Sequence, residues 1–238
     1  MTTVFLIDSS DKQLFLTFGL SVAICLVSLS LYDSRDADTL VEQASMAMRE
    51  HNVSQAEDLY LKALGRYETS EKSDAGIVSC LMTLSFIFKN SGREHTAIEM
   101  EKRALWIMEK KCGRLSVDCA TTLTCMAMSY EKQKRISEAE KSYIESTAIM
   151  EKVAPMSSTI AVNSNNLAVL YSEQGNFAAA GEMYEKAIAV YEFLDQPDLQ
   201  VSLLRRYSQL LRQTKHRVEA ERIDRRISDV LAKRIGNR

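Results

Sequence analysis

The chain is poor in helix breakers. Two prolines and eight glycines in 238 residues leave long stretches that nothing interrupts, and too few turn formers for a turn-rich β fold. Histidine is scarce as well: His51, His95 and His216 are the full set. They stand far apart in sequence, in or beside turns, which excludes a shared metal site or a catalytic triad. Five cysteines show neither the paired spacing of a zinc site nor a disulfide framework. Cys80, Cys112, Cys119 and Cys125 read as small, reduced core residues, which favours a reducing compartment. There is no Gly-rich phosphate loop, and the "GRLS" of Gly113 to Ser116 carries no nucleophile motif. Carboxylates are plentiful but stand beside Lys and Arg, where solvation and pairing account for them. No catalytic, cofactor-binding or metal-binding residue is expected, so the sequence points away from an enzyme. A net charge of -2 also excludes a general electrostatic affinity for nucleic acid.

What the chain does have is repetition. In "NNLAVLYSEQGNFAAAGEMYEKAIAVYE", Asn165 to Glu192, small residues at Ala168, Ala180 and Ala187 alternate with aromatics at Tyr171, Phe177 and Tyr184. Small residues let two helices approach closely, and the aromatics fill the space beside them. Ala180, Tyr184 and Ala187 serve as a ruler. The same spacing recurs at Ala139, Tyr143, Ser146; at Ala97, Glu101, Ala104; at Ala56, Tyr60, Ala63; and at Ala220, Asp224, Ile227. Five copies with a period of about 41 residues mean a repeat architecture. Within each copy the apolar residues recur at helical spacing on both sides of a polar turn: "REHNVS", "KNSGRE", "KQKRIS", "EQGN" and "RQTKHR". Pro155 and Pro197 mark the loops before the fourth and fifth copies. Glu101 stands where the other copies carry an aromatic, and Met100 is expected to shift in and cover the gap.

These motifs resemble the tetratricopeptide repeat (TPR), in particular the longer kinesin-light-chain-like type, whose pattern runs roughly "NNLAxLYxxQGxYxEAExLYxRALxIxEK". The resemblance covers Ala37 to Leu231. It implies an all-α fold: a right-handed solenoid of about five helix–turn–helix repeats, near 37-70, 76-111, 119-153, 160-194 and 200-232, within a solenoid domain spanning 33-238. The fifth copy, with Asp224 and Ile227 in place of the packing residues, reads as a terminal cap.

Ahead of the repeats, beyond a tail over 1-13, lies "LFLTFGLSVAICLVSLSL". This run, Leu14 to Leu31, is 18 residues without a charge, about the length that crosses a hydrocarbon core as a helix. Three readings stand: a single-pass transmembrane anchor over 14-32, a signal peptide cleaved after Ser30, or a hydrophobic helix buried against the first repeat. The anchor is the leading one, because the segment before the run carries Asp8 and Asp11 against Lys12, whereas a signal peptide prefers a basic start. Lys12 and Arg35 are too evenly placed to orient it.

The resemblance further implies that the first helix of each repeat lines a concave groove. Carried onto this chain, the second repeat presents Ser79, Met82, Thr83, Phe86 and Lys89. The third presents Thr121, Thr124, Cys125, Met128 and Glu131; the fourth, Val162, Asn165, Asn166, Val169 and Ser172. The fifth presents Ser202, Arg205, Arg206, Gln209 and Arg212. Asn amides suit a peptide backbone, Arg205 and Arg206 a carboxylate, and the methionines with Phe86 an adaptable apolar floor. The expected partner is a protein or peptide, extended or helical, with acidic groups; neither nucleic acid nor a small-molecule substrate is expected. Some members of the family hold a chaperone's C-terminal carboxylate. Asn166 and Arg206 match two parts of that site, but Thr124 and Met128 stand where a Lys and an Asn belong, so chaperone-tail binding is not expected. The alternative is a structural accessory subunit docking through its convex face or its basic end. From Gln200 onward eleven Lys and Arg stand against four Asp and Glu, with Glu219–Arg222 and Glu221–Arg225 as candidate pairs along one helix.

Overall fold

The computed structural model describes residues 36–70 and 74–236, and among them no strand occurs. Helix α1 covers 36–49. It is followed by α2 (Val53–Thr69), α3 (Asp74–Asn90), α4 (Glu94–Cys112), α5 (Val117–Lys132) and α6 (Ile136–Val153). Then come α7 (Ser158–Glu173), α8 (Phe177–Phe193), α9 (Pro197–Gln213) and α10 (Arg217–Gly236). No helix among the described residues is long and apolar enough to cross a membrane. Leu14 to Leu31 lies outside the described residues.

The ruler positions are where the helices close on one another. Ala56, Ala63, Ala97, Ala104, Ala139, Ala180, Ala187 and Ala220 are fully buried, and Tyr60, Tyr143 and Tyr184 are buried beside them. An alanine lets the facing backbone come close, and the ring one turn away covers the resulting gap.

The turn inside each pair has one conformation throughout. His51, Gly92, Lys134, Gly175 and Lys215 all adopt positive φ, at 59°, 75°, 59°, 78° and 65°. The next residue then donates its N–H back across the end of the first helix: Asn52 to the Ala47 carbonyl at 2.8 Å, Arg93 to Phe88 at 2.8 Å, Arg135 to Tyr130 at 2.9 Å, Asn176 to Tyr171 at 2.8 Å and His216 to Leu211 at 2.8 Å. This is a Schellman-type end, and it demands a left-handed residue. Only two of the five turns supply glycine; the other three hold a side chain where L residues are strained. Asn52 and Asn176 cap the helix that follows, accepting from the N–H of Gln55 and Ala179. Arg93 and Arg135 occupy the same place without capping. Their guanidinium groups lie 4.5 Å and 4.6 Å over the rings of Phe88 and Tyr130 instead. Pro197 opens α9 as its first residue, where a missing N–H is harmless.

Contacts divide the chain into two compact units, one up to Ile87 and one from Phe88 on. In the first, Ser45 Oγ meets Tyr60 Oη at 3.0 Å, Tyr67 donates to Asp38, and Arg66 pairs with Asp36 at 3.3 Å, so α1 and α2 are pinned along their length. In the second, each helix from α4 to α10 packs on the next in order, and α5 also touches α7. Such a unit is stabilised neighbour by neighbour.

The second copy departs from the pattern in a way that reverses one expectation. Glu101 fills the aromatic's buried position itself, at 0% exposure, while Met100 is only half-buried. The carboxylate is tolerable there because Lys89 Nζ stands 2.9 Å away and Ser129 Oγ donates at 3.2 Å. Among the cysteines, Cys80 and Cys119 are buried and Cys125 partly so, but Cys112 ends α4 exposed, which corrects its assignment to the core.

Candidate functional site

Helices α5, α7 and α9 are the first helices of three successive pairs, and in the second unit they share a face. Thr121 and Met128 are exposed on α5, and Cys125 and Glu131 are partly so. On α7, Val162, Asn165, Asn166, Val169 and Ser172 are partly exposed; on α9, Ser202, Arg205, Arg206, Gln209 and Arg212 are exposed. Two residues carried onto the groove by resemblance lie elsewhere. Thr124 is buried: it donates to Asn163 Oδ1 at 2.8 Å and lies 2.9 Å from Ser146 Oγ. Lys89 is drawn inward by Glu101, leaving its side chain 14% exposed. In the first unit, Met82 and Thr83 on α3 are partly exposed and Phe86 is exposed.

The face is organised by a directed chain of hydrogen bonds. Arg206 Nη1 donates to Asn165 Oδ1 at 3.5 Å. Asn165 Nδ2 donates to Asn166 Oδ1 at 3.2 Å, and Asn166 Nδ2 to Tyr143 Oη at 3.0 Å. Tyr143 then donates to Glu131 Oε2 at 3.0 Å. Every donor points the same way, from a guanidinium on α9 to a carboxylate at the end of α5, so each bond polarises the next. Burial, then the Glu131 carboxylate, pushes the Tyr143 phenol well above its ordinary range, which keeps it a donor at any physiological pH. Arg205, beside the start of this chain, is exposed and makes no ion pair among the described residues.

A second, fully buried cluster escaped sequence reasoning. Ser146 holds the ruler position that is alanine in three other copies, and its hydroxyl needs partners. It donates to the Ala120 carbonyl at 2.6 Å and accepts from Asn163 Nδ2 at 2.9 Å. The signal was Ser146 itself: a hydroxyl at a fully buried position requires a polar neighbour.

The basic end is less free than its composition implies. Arg226 makes two bonds to Glu185, at 2.8 and 2.9 Å; Arg212 pairs with Asp224 and Arg234 with Asp198. Arg225 donates to the backbone carbonyl of Glu221 at 3.4 Å rather than to its carboxylate. Of the histidines, His51 sits in the first turn with positive φ and His95 in the first turn of α4. His216 precedes α10, its Nδ1 3.0 Å from Thr214 Oγ1. Among the described residues no group of three or more His, Cys, Asp or Glu could hold a metal ion.

Comparison with known proteins agrees with this architecture. Residues 118–192 match the family model described as tetratricopeptide repeat. The chain is similar in structure to BtubC (BKLC) from P. vanneervenii, at 21% identity and a TM-score of 0.72, over 88% of this chain and 91% of that one. It is similar to a putative kinesin light chain with nearly identical TPR-like repeats from Podosopora anserina, at 18% identity and a TM-score of 0.67, over 84% of this chain and 97% of that one. It is also similar to the apo form of RapI, at 13% identity and a TM-score of 0.74, over 83% of this chain and 54% of that one. Identities this low speak to fold and not to function. No curated protein matches the sequence.

Proposed function

We propose that this TPR-like helical repeat protein is a non-enzymatic interaction scaffold that holds an extended or helical peptide with acidic groups along the α5–α7–α9 face. The observation that carries the reading is the bond from Arg206 to Asn165, at the head of a chain anchored in Glu131. A guanidinium already held in place loses less freedom on meeting a carboxylate. Arg205 beside it doubles the positive charge. Met128, Val162 and Val169 offer apolar contact further along, and the Asn165 amide retains capacity for a peptide backbone.

The test is selection from a displayed library of random peptides on the wild-type protein and on Arg205→Glu with Arg206→Glu. Peptides rich in Asp and Glu are recovered by the wild type and lost by the double variant, whose melting temperature stays close to wild type because both residues are exposed. Equal recovery of acidic peptides by both proteins refutes the reading.

We also propose that Leu14 to Leu31 tethers the repeats to a membrane; the support is the uncharged length of that run alone. Release of the intact chain by carbonate extraction of membranes refutes it.

A further inference from the structure

Away from that face, a cavity of about 610 Å³ opens between α8 and α9. Phe177, Gly181, Leu211 and Tyr207 form its apolar part, with Glu182 and Glu185 at the rim. Gly181 lies in the wall of this groove. The first, third and fifth copies carry Glu57, Glu140 and Glu221 at this place, and in the third copy Glu140 accepts the Tyr171 hydroxyl at 3.0 Å. In the fourth copy a Cβ would come within 3.0 Å of Tyr207 Oη. Glycine therefore lets Tyr207 lie against α8, stacked on Tyr184 with ring centroids 5.6 Å apart. It also leaves the Tyr207 hydroxyl without a protein partner among the described residues. Glu185 is engaged by Arg226; Glu182 is exposed and makes no ion pair among the described residues.

The complement stands on the same unit. Trp106, the one tryptophan in the chain, is 57% exposed on α4. Lys110 Nζ lies 4.0 Å over its ring, and Lys102, Arg103 and Lys111 are exposed around it. We infer that the α8–α9 groove receives Trp106 of a second copy of the chain, with the Lys110 ammonium set against Glu182. An aromatic ring carrying a cation matches an apolar floor with a carboxylate rim in both shape and charge. The indole N–H finds acceptors in the groove, and the Tyr207 hydroxyl finds a partner. Knob and hole are different parts of one surface, so the contact is head-to-tail and either closes into a ring or grows as a chain. One anchored side chain makes a small interface, hence a weak and concentration-dependent one.

The single tryptophan supplies the test. The full chain is held in mild detergent, so that Leu14 to Leu31 contributes equally to every sample. Trp106 emission then shifts to the blue and becomes less quenchable by acrylamide as wild-type concentration rises, and high salt reverses both changes. Glu182→Lys abolishes the shift, and Glu182→Gln weakens it. Trp106→Ala is dark but keeps the groove, so adding it to Glu182→Lys restores the blue shift, and sedimentation of that mixture stops at pairs. Trp106 equally quenchable at all wild-type concentrations, or no shift in the mixture, overturns the inference.

Discussion

Replacing Lys89 by methionine removes an ammonium from the most buried carboxylate described in the protein. Glu101 is wholly inaccessible, and it is held by the Lys89 ammonium at 2.9 Å and the Ser129 hydroxyl at 3.2 Å. Breaking a buried pair from one side costs about 3–5 kcal/mol, because the remaining charge stays desolvated. The Lys89 side chain is 14% exposed, so water approaches the site and the lower end, about 3 kcal/mol, applies. With a urea dependence of about 2 kcal/mol per molar, the unfolding midpoint drops by about 1.5 M. The converse variant, Glu101→Met, costs only about 1 kcal/mol, since an unpaired lysine can extend its head group to water. The double variant returns near wild type, because two apolar side chains of similar volume replace the pair. Urea unfolding followed by circular dichroism measures all three. Equal losses for the two single variants, or a double variant as weak as Lys89→Met, refute the claim that a buried carboxylate deprived of the Lys89 ammonium sets the cost.

Lys134→Gly relieves a left-handed side chain and raises stability by about 1 kcal/mol, whereas Gly175→Ala lowers it by a similar amount; opposite shifts in thermal midpoint check the pair. Asn163→Ala leaves the buried Thr124 and Ser146 hydroxyls short of a partner and costs about 2 kcal/mol, read from the same urea curves. Among the described cysteines, thiol labelling of the native protein, mapped by mass spectrometry, marks Cys112 first. Cys80, whose burial pushes its thiol up to about 11, stays unmodified at neutral pH until the chain is unfolded.

The repeat and its helix pairs were legible because close packing is periodic. The same small and aromatic residues must return each time a helix pair stacks on the next, so the ruler from Ala56 to Ala220 marks the buried positions without any structure. The exceptions were legible only as exceptions. Glu101 and Ser146 break the ruler, but nothing nearby in sequence says that Lys89, Ser129 and Asn163 satisfy them. The turn conformation was partly legible. Glycine announces it at Gly92 and Gly175, while His51, Lys134 and Lys215 adopt it because the bond across the helix end is retained despite the side chain. On the candidate face, it was the family resemblance that placed Asn165, Asn166, Arg205 and Arg206 together. It placed Thr124 there too, where the structure buries it.

What the sequence determined by itself, then, is the stacking of helix pairs and which side of each helix is buried, since both follow from spacing along one chain. Only the tertiary structure decided which polar groups are already engaged. Asn166 is turned to Tyr143, Arg206 to Asn165, and Arg226 to Glu185. Each of these bonds joins different helices across a repeat boundary, and spacing along one helix says which way a side chain faces but not what meets it there.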